Sequence, residues 1–176
     1  MTTEWTFPAI ISQYPEPEAE SVHIPWDDSK GYYAIQNRDD KQSLMTKGTL
    51  YHLARSPKTN LRSKTYFLKV QGFNFLNLPG VLSGIELRLS TNRFGRVTDE
   101  TIQLCMGNEL LGDNLADLIL DPIKVYGSGT NLWNIKNLSI TDIQNPNFGV
   151  VLRFQSHPQY PHRDGAYINA VELRIH

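Results

Sequence analysis

The sequence predicts an all-β fold: an antiparallel β-sandwich with an extended N-terminal arm. Three observations carry this. Ile85-Glu86-Leu87-Arg88-Leu89-Ser90 and Thr101-Ile102-Gln103-Leu104-Cys105-Met106 alternate apolar and polar side chains with period two, which sets one face of each strand on a core. Further short apolar runs recur between turn residues, in a chain with twelve glycines and ten prolines. Helical periodicity is almost missing between them.

The chain divides at residue 62, with residues 1–62 read as an N-terminal arm and extended segment and residues 63–176 as the sandwich domain. In Tyr14-Pro15-Glu16-Pro17-Glu18 the alternating prolines forbid helix and stiffen the chain toward polyproline II. Large apolar side chains on such a segment are costly to leave in water, so the arm is expected to lie as a strap on a surface, its own or a neighbour's. Trp5, Phe7, Ile10, Ile11, Ile24 and Trp26 are the residues assigned to partner binding. Burying a large apolar side chain contributes roughly 1.5–3 kcal/mol, against about 1–2 kcal/mol of backbone entropy for each residue ordered. The balance is near zero on a monomer, and the arm is expected to be mobile in the free protein and ordered in an assembly. Residues 31–35 and 49–53 read as short strands, 38–41 as a polar turn and 56–60 as a loop.

Residues 64–75 are strand-rich and broken at Gly72, and Asn77-Leu78-Pro79-Gly80 signals a turn. Strands are expected at 85–90 and 101–106 with a loop over 92–97, then a hairpin tip with a short return over 107–114. Residues 123–126, 148–155 and 166–175 complete the set. Gly127-Ser128-Gly129 breaks a strand, since glycine takes positive φ freely. Ser139-Ile140-Thr141-Asp142 has the serine-to-acid spacing of a helix N-terminus, and Pro146 closes that short turn.

A net charge of −1 and a pI of about 6.5 give no polyelectrolyte character, so no nucleic acid partner is expected. The charge is uneven: residues 1–30 carry six acidic side chains against one lysine, and residues 31–70 eight lysines or arginines against two aspartates. The acidic leader can pair with that basic stretch or with a neighbouring subunit, or the two can be unrelated solvated faces. The single Cys105 excludes an internal disulfide and any cysteine-based zinc cluster, and its flanks mark it as a small buried hydrophobe. The N-terminus lacks the basic and apolar regions of a secretory signal, and no run reaches the roughly twenty apolar residues of a membrane helix.

Candidate chemistry is sparse. Asp113, Asp117 and Asp121 recur every four residues, which on a helix face would offer oxygens to calcium, but the dense acidic loop pattern and closing glutamate are missing. His157, His162 and Asp164 share a proline-rich loop whose spacing prescribes no metal geometry. Tyr126, Trp133 and Phe148 either line a sugar-binding surface or fill the end of the sandwich, and their apolar neighbours favour filling. Arg88, Arg93 and Arg96 are a weak signal for an acidic partner. Asn137-Leu138-Ser139 matches a glycosylation sequon without a secretory signal to go with it. No catalytic residues, no metal ligands and no cofactor are assigned, and the chain is expected not to be an enzyme.

In their order, Leu82-Ser83-Gly84-Ile85-Glu86-Leu87-Arg88-Leu89, Val97-Thr98-Asp99, the turn at 107–112, Tyr126-Gly127, Leu132-Trp133, Thr141-Asp142-Ile143, Asn147-Phe148-Gly149-Val150 and the strand at 168–175 resemble a β-sandwich module. It is similar to one of tailed-bacteriophage structural proteins and some bacterial surface proteins. The resemblance covers residues 66–176, with Asn131 where the pattern often has Asp and Asn134 where it often has Gly. It implies a jelly-roll-like sandwich used for adhesion or assembly, with no catalytic residues to carry over. With the apolar-studded arm, it leads to the expectation of a virion structural protein made in the host cytoplasm. The specific expectation is a capsid cement or decoration protein that docks on the major capsid protein or other virion subunits, with a homotrimer favoured. The alternative is a tail fibre or baseplate adhesion module that binds host carbohydrate.

Overall fold

The computed structural model describes residues 2–16, 22–29, 31–32, 35–36, 44–45, 47, 52–53, 61–94, 97–118, 121–156 and 165–176. Two sheets face one another. The larger comprises β1 (Ile10–Tyr14), β2 (Val22–Ile24), β4 (His52–Leu53), β5 (Leu61–Thr65), β6 (Phe67–Gln71), β8 (Val97–Met106), β9 (Glu109–Leu111) and β11 (Phe148–Ser156). The smaller runs in the order β10 (Ile123–Ser128), β7 (Ile85–Phe94), β12 (Gly165–Ile175), β3 (Leu44–Met45). The only named helix among the described residues is α1 (Ile140–Gln144).

The period-two alternation predicts the inner faces. Leu68, Val70, Ile102, Leu104, Val150, Leu152 and Phe154 from one sheet share a single buried cluster with Ile85, Leu87, Leu89, Ile168, Val171, Leu173 and Ile175 from the other. This is an all-β sandwich. At β11 the sheet needs a residue without a side chain. A Cβ on Gly149 would stand 2.0 Å from the Val70 carbonyl oxygen, so β6 and β11 approach this closely only at glycine. α1 begins as its sequence directs: Ser139 accepts from the Asp142 N–H while the Asp142 carboxylate accepts from the Ser139 N–H, a reciprocal capping box.

Several boundaries differ from expectation. β7 extends to Phe94 and β8 starts at Val97, so Asn92-Arg93-Phe94 is strand and not loop. The cause is non-local: Gly165, Ala166 and Tyr167 of β12 pair with Phe94, Arg93 and Asn92. The strand expected at 31–35 is also corrected. Gly31 and Tyr32 form a turn, and Ile35 and Gln36 are helical, both donating to the Tyr32 carbonyl. The expected boundary at residue 62 falls inside β5, and β1 and β2 belong to the larger sheet. Residues 38–41, 56–60 and 157–164, and with them His157, His162 and Asp164, lie outside the described residues.

Candidate functional site

The leader organises the most distinctive surface. The Thr3 N–H donates to the Ile175 carbonyl at 2.9 Å, and the Thr3 hydroxyl accepts from the Ile175 N–H at 2.9 Å. Thr6 exchanges backbone hydrogen bonds with Leu173. Residues 3–6 thus run along an edge of the smaller sheet. The chain then crosses to the larger sheet, where β1 pairs antiparallel with β6, Ile10 opposite Gln71 and Tyr14 opposite Phe67. Trp5 is held by cations: the Arg88 and Arg174 guanidinium carbons lie 4.3 and 4.4 Å from its ring centre. Those arginines are themselves fixed by the cross-strand pairs Arg88–Glu172 and Arg174–Glu86.

On the outer face of the larger sheet, Tyr14 stacks on Phe67 with ring centres 5.2 Å apart. Lys69 lies over Tyr14 and donates to Asn108 Oδ1 at 2.7 Å. Beside them the Arg153 guanidinium grips Glu100 through two hydrogen bonds of 2.6 and 2.7 Å, meets Glu16 of the leader, and packs on Phe67. A bulge makes the Glu100 contact possible. Arg153 stands opposite Thr101 and Phe154 opposite Asp99, so Glu100 is the extra residue aimed back at the arginine. Burial alone would raise the Glu100 carboxyl. Hydrogen bonds from Arg153 and Thr101, with the charges of Arg153 and Lys64, outweigh it and hold the group below the usual carboxylate range. Burial likewise pulls Arg153 down, while Glu100 and Glu16 push it above its ordinary value.

The six residues assigned to partner binding separate. Trp26 is completely buried, packed edge-to-face on Phe154, with its indole N–H donating to the Tyr66 carbonyl at 3.0 Å. Ile11 and Ile24 pack against the same core. These three serve the sandwich itself, because Gln13 and the break at Tyr66 supply the polar partners that Trp26 and its backbone need. Trp5 and Phe7 are half-buried, and Ile10 is 46% exposed.

Tyr126, Trp133 and Phe148 fill the interior and line no surface. Trp133 is fully buried, at φ 56°, and donates to the Ile85 carbonyl. Gly127, at φ 78°, leaves the space that the indole occupies. Cys105 is buried, and burial pushes its thiol up to about 12. Asp113 and Asp117 lie on non-helical backbone, Asp117 paired with Lys124 at 2.9 Å and Asp113 accepting from Asn134. Among the described residues, no three His, Cys, Asp or Glu side chains come together as metal ligands. Glu16, Glu100 and Arg153 were missed in the sequence because their contact depends on a bulge and on a crossover of 137 residues.

No family model, no curated protein and no solved structure matches this chain.

Proposed function

We propose that this chain is a non-enzymatic virion structural protein, a capsid cement or decoration subunit that docks on neighbouring subunits through the edge formed by its leader. The observation that carries the reading is β1. It ends the larger sheet, so among the described residues its backbone has a strand partner on one side only, and Ile10 stands 46% exposed beside that edge. An unpaired strand edge offers backbone donors and acceptors to a strand of another chain, with side chains adding selectivity. The ordering cost of this edge is met within the protomer, by the pairing with β6 and the Glu16–Arg153 contact. A partner therefore meets a preformed surface. A trimer follows from the cement assignment, whose subunits sit on local three-fold points.

Electron cryomicroscopy of the native particle tests the assignment. The expected result is this chain on the shell with β1 against a neighbouring subunit. A shell that lacks it refutes the cement role. In parallel, Ile10→Lys should leave the fold intact and reduce incorporation, because it places a charge on the docking edge.

A further inference from the structure

A groove of about 570 Å³ lies between leader residues 2–7 and the segment that follows β6, where Asn74, Leu76 and Asn77 form the opposite wall. Its size suits a compact ligand of one or two rings. We infer that this groove is a binding site for a neutral saccharide.

The lining chemistry leads there. A neutral pyranose presents an apolar C–H face and neighbouring hydroxyls, each both donor and acceptor. The matching protein groups are aromatic surface and side chains with paired polar atoms. Trp5 and Phe7 supply aromatic surface, and Leu76, 71% exposed, adds an apolar wall. Glu4, Asn74 and Asn77 supply one carboxylate and two amides, all exposed, and among the described residues none of these side chains has a hydrogen bond or ion pair. A second cleft, lined by Ser12, Gln13, Tyr14, Lys69 and Asn108, differs on this point: its lysine already bonds Asn108 and its glutamine already bonds Trp26.

Both walls are preformed. Phe73 and Phe75 are buried and stacked on each other, 5.9 Å between centres, so the residues that alternate with them, Asn74 and Leu76, are projected outward from an anchored backbone. Asn77 turns the chain at φ 55°, a conformation asparagine tolerates. On the leader side the two guanidiniums fix the Trp5 ring, and the Thr3 and Thr6 hydrogen bonds fix its backbone. Charge selects the ligand. The nearby arginines are committed to Glu86 and Glu172, which leaves Glu4 as the one charged side chain among the groove's described lining residues, and it repels an acidic sugar.

The inference is independent of the virion assignment, because it concerns the free protein. Full-length protein would be titrated with methyl α-glucoside, methyl α-galactoside, methyl α-mannoside and N-acetylglucosamine, with glucuronate as the charged control. Saturation-transfer NMR and tryptophan fluorescence would report binding. At least one neutral sugar should bind saturably, more tightly than glucuronate. Asn74→Ala and Glu4→Gln, both at exposed positions, should keep the melting temperature and each weaken binding about tenfold. Asn108→Ala, in the second cleft, should leave the affinity unchanged. The inference is overturned if none of the neutral sugars binds, if glucuronate binds best, or if Asn74→Ala and Glu4→Gln bind like the parent.

Discussion

Replacing Trp26 by alanine separates a leader that belongs to the core from one that merely lies on it. The side chain is fully buried, its ring packs on Phe154 at 5.8 Å, and its N–H satisfies the Tyr66 carbonyl. Truncating a buried tryptophan costs about 3–5 kcal/mol in lost transfer energy and cavity formation. The carbonyl left without its donor places this site in the upper half of that range. At roughly 2–4 °C per kcal/mol for a chain of this size, the melting temperature should fall by about 8–20 °C. Urea titration followed by circular dichroism gives the free energy directly. Trp5→Ala provides the internal comparison, since that ring is half-buried and held chiefly by cations, at about 1–2 kcal/mol. Deleting residues 1–28 removes β1, β2, Trp26 and the Thr3 and Thr6 contacts, and should unfold the protein. A Trp26→Ala protein within about 1 kcal/mol of the parent, or a deletion that melts normally, would refute the placement of the leader in the core.

Gly149→Ala should be among the most damaging small changes, costing about 3 kcal/mol or more because its methyl meets the Val70 carbonyl oxygen at 2.0 Å. Gly80→Ala, with nothing within 4 Å, should stay within about 0.5 kcal/mol by the same denaturation assay. Because the folded-state pKa of Glu100 is depressed from 4.5, its contribution is fully present above that pH and is lost as pH falls through the folded value. Denaturation midpoints should therefore decline below pH 4.5, and Glu100→Gln should be less stable at neutral pH with a flatter acid limb. Cys105 should resist maleimide in the native protein and label fully in denaturant, as mass spectrometry would show, because the thiol is buried and shifted to about 12.

The long strands were legible where their determinants are local. The alternation of Ile85, Leu87 and Leu89 marks the inner face of β7, and the Ser139–Asp142 spacing marks the cap of α1, since both depend on neighbours in sequence. The fate of the leader was not. Trp5 and Trp26 look alike in composition, and what distinguishes them is Gln13, Tyr66 and Phe154 around one and two strand arginines around the other. Residue 62 looked like a boundary because the apolar pattern strengthens after it, yet β5 crosses it and pairs in parallel with β2. The Arg153 clamp was hidden for a similar reason. A bulge cannot be read from residue types, and without it Glu100 would point elsewhere.

The joining of the first residues to the last bears on how the protein is made. β12 lies inside the smaller sheet, with β7 on one flank and β3 and Thr6 on the other, and it is the last of the strands in chain order. A nascent chain on the ribosome can assemble the β5, β6, β8 and β11 ribbon early. It then holds Thr3, Thr6 and the flank of β7 without the strand that joins them until residues 165–175 emerge. Closure of the smaller sheet therefore waits on the synthesis of β12. A premature stop anywhere in β12 would leave two open strand edges on an otherwise formed half, a state inclined to pair with its own copies.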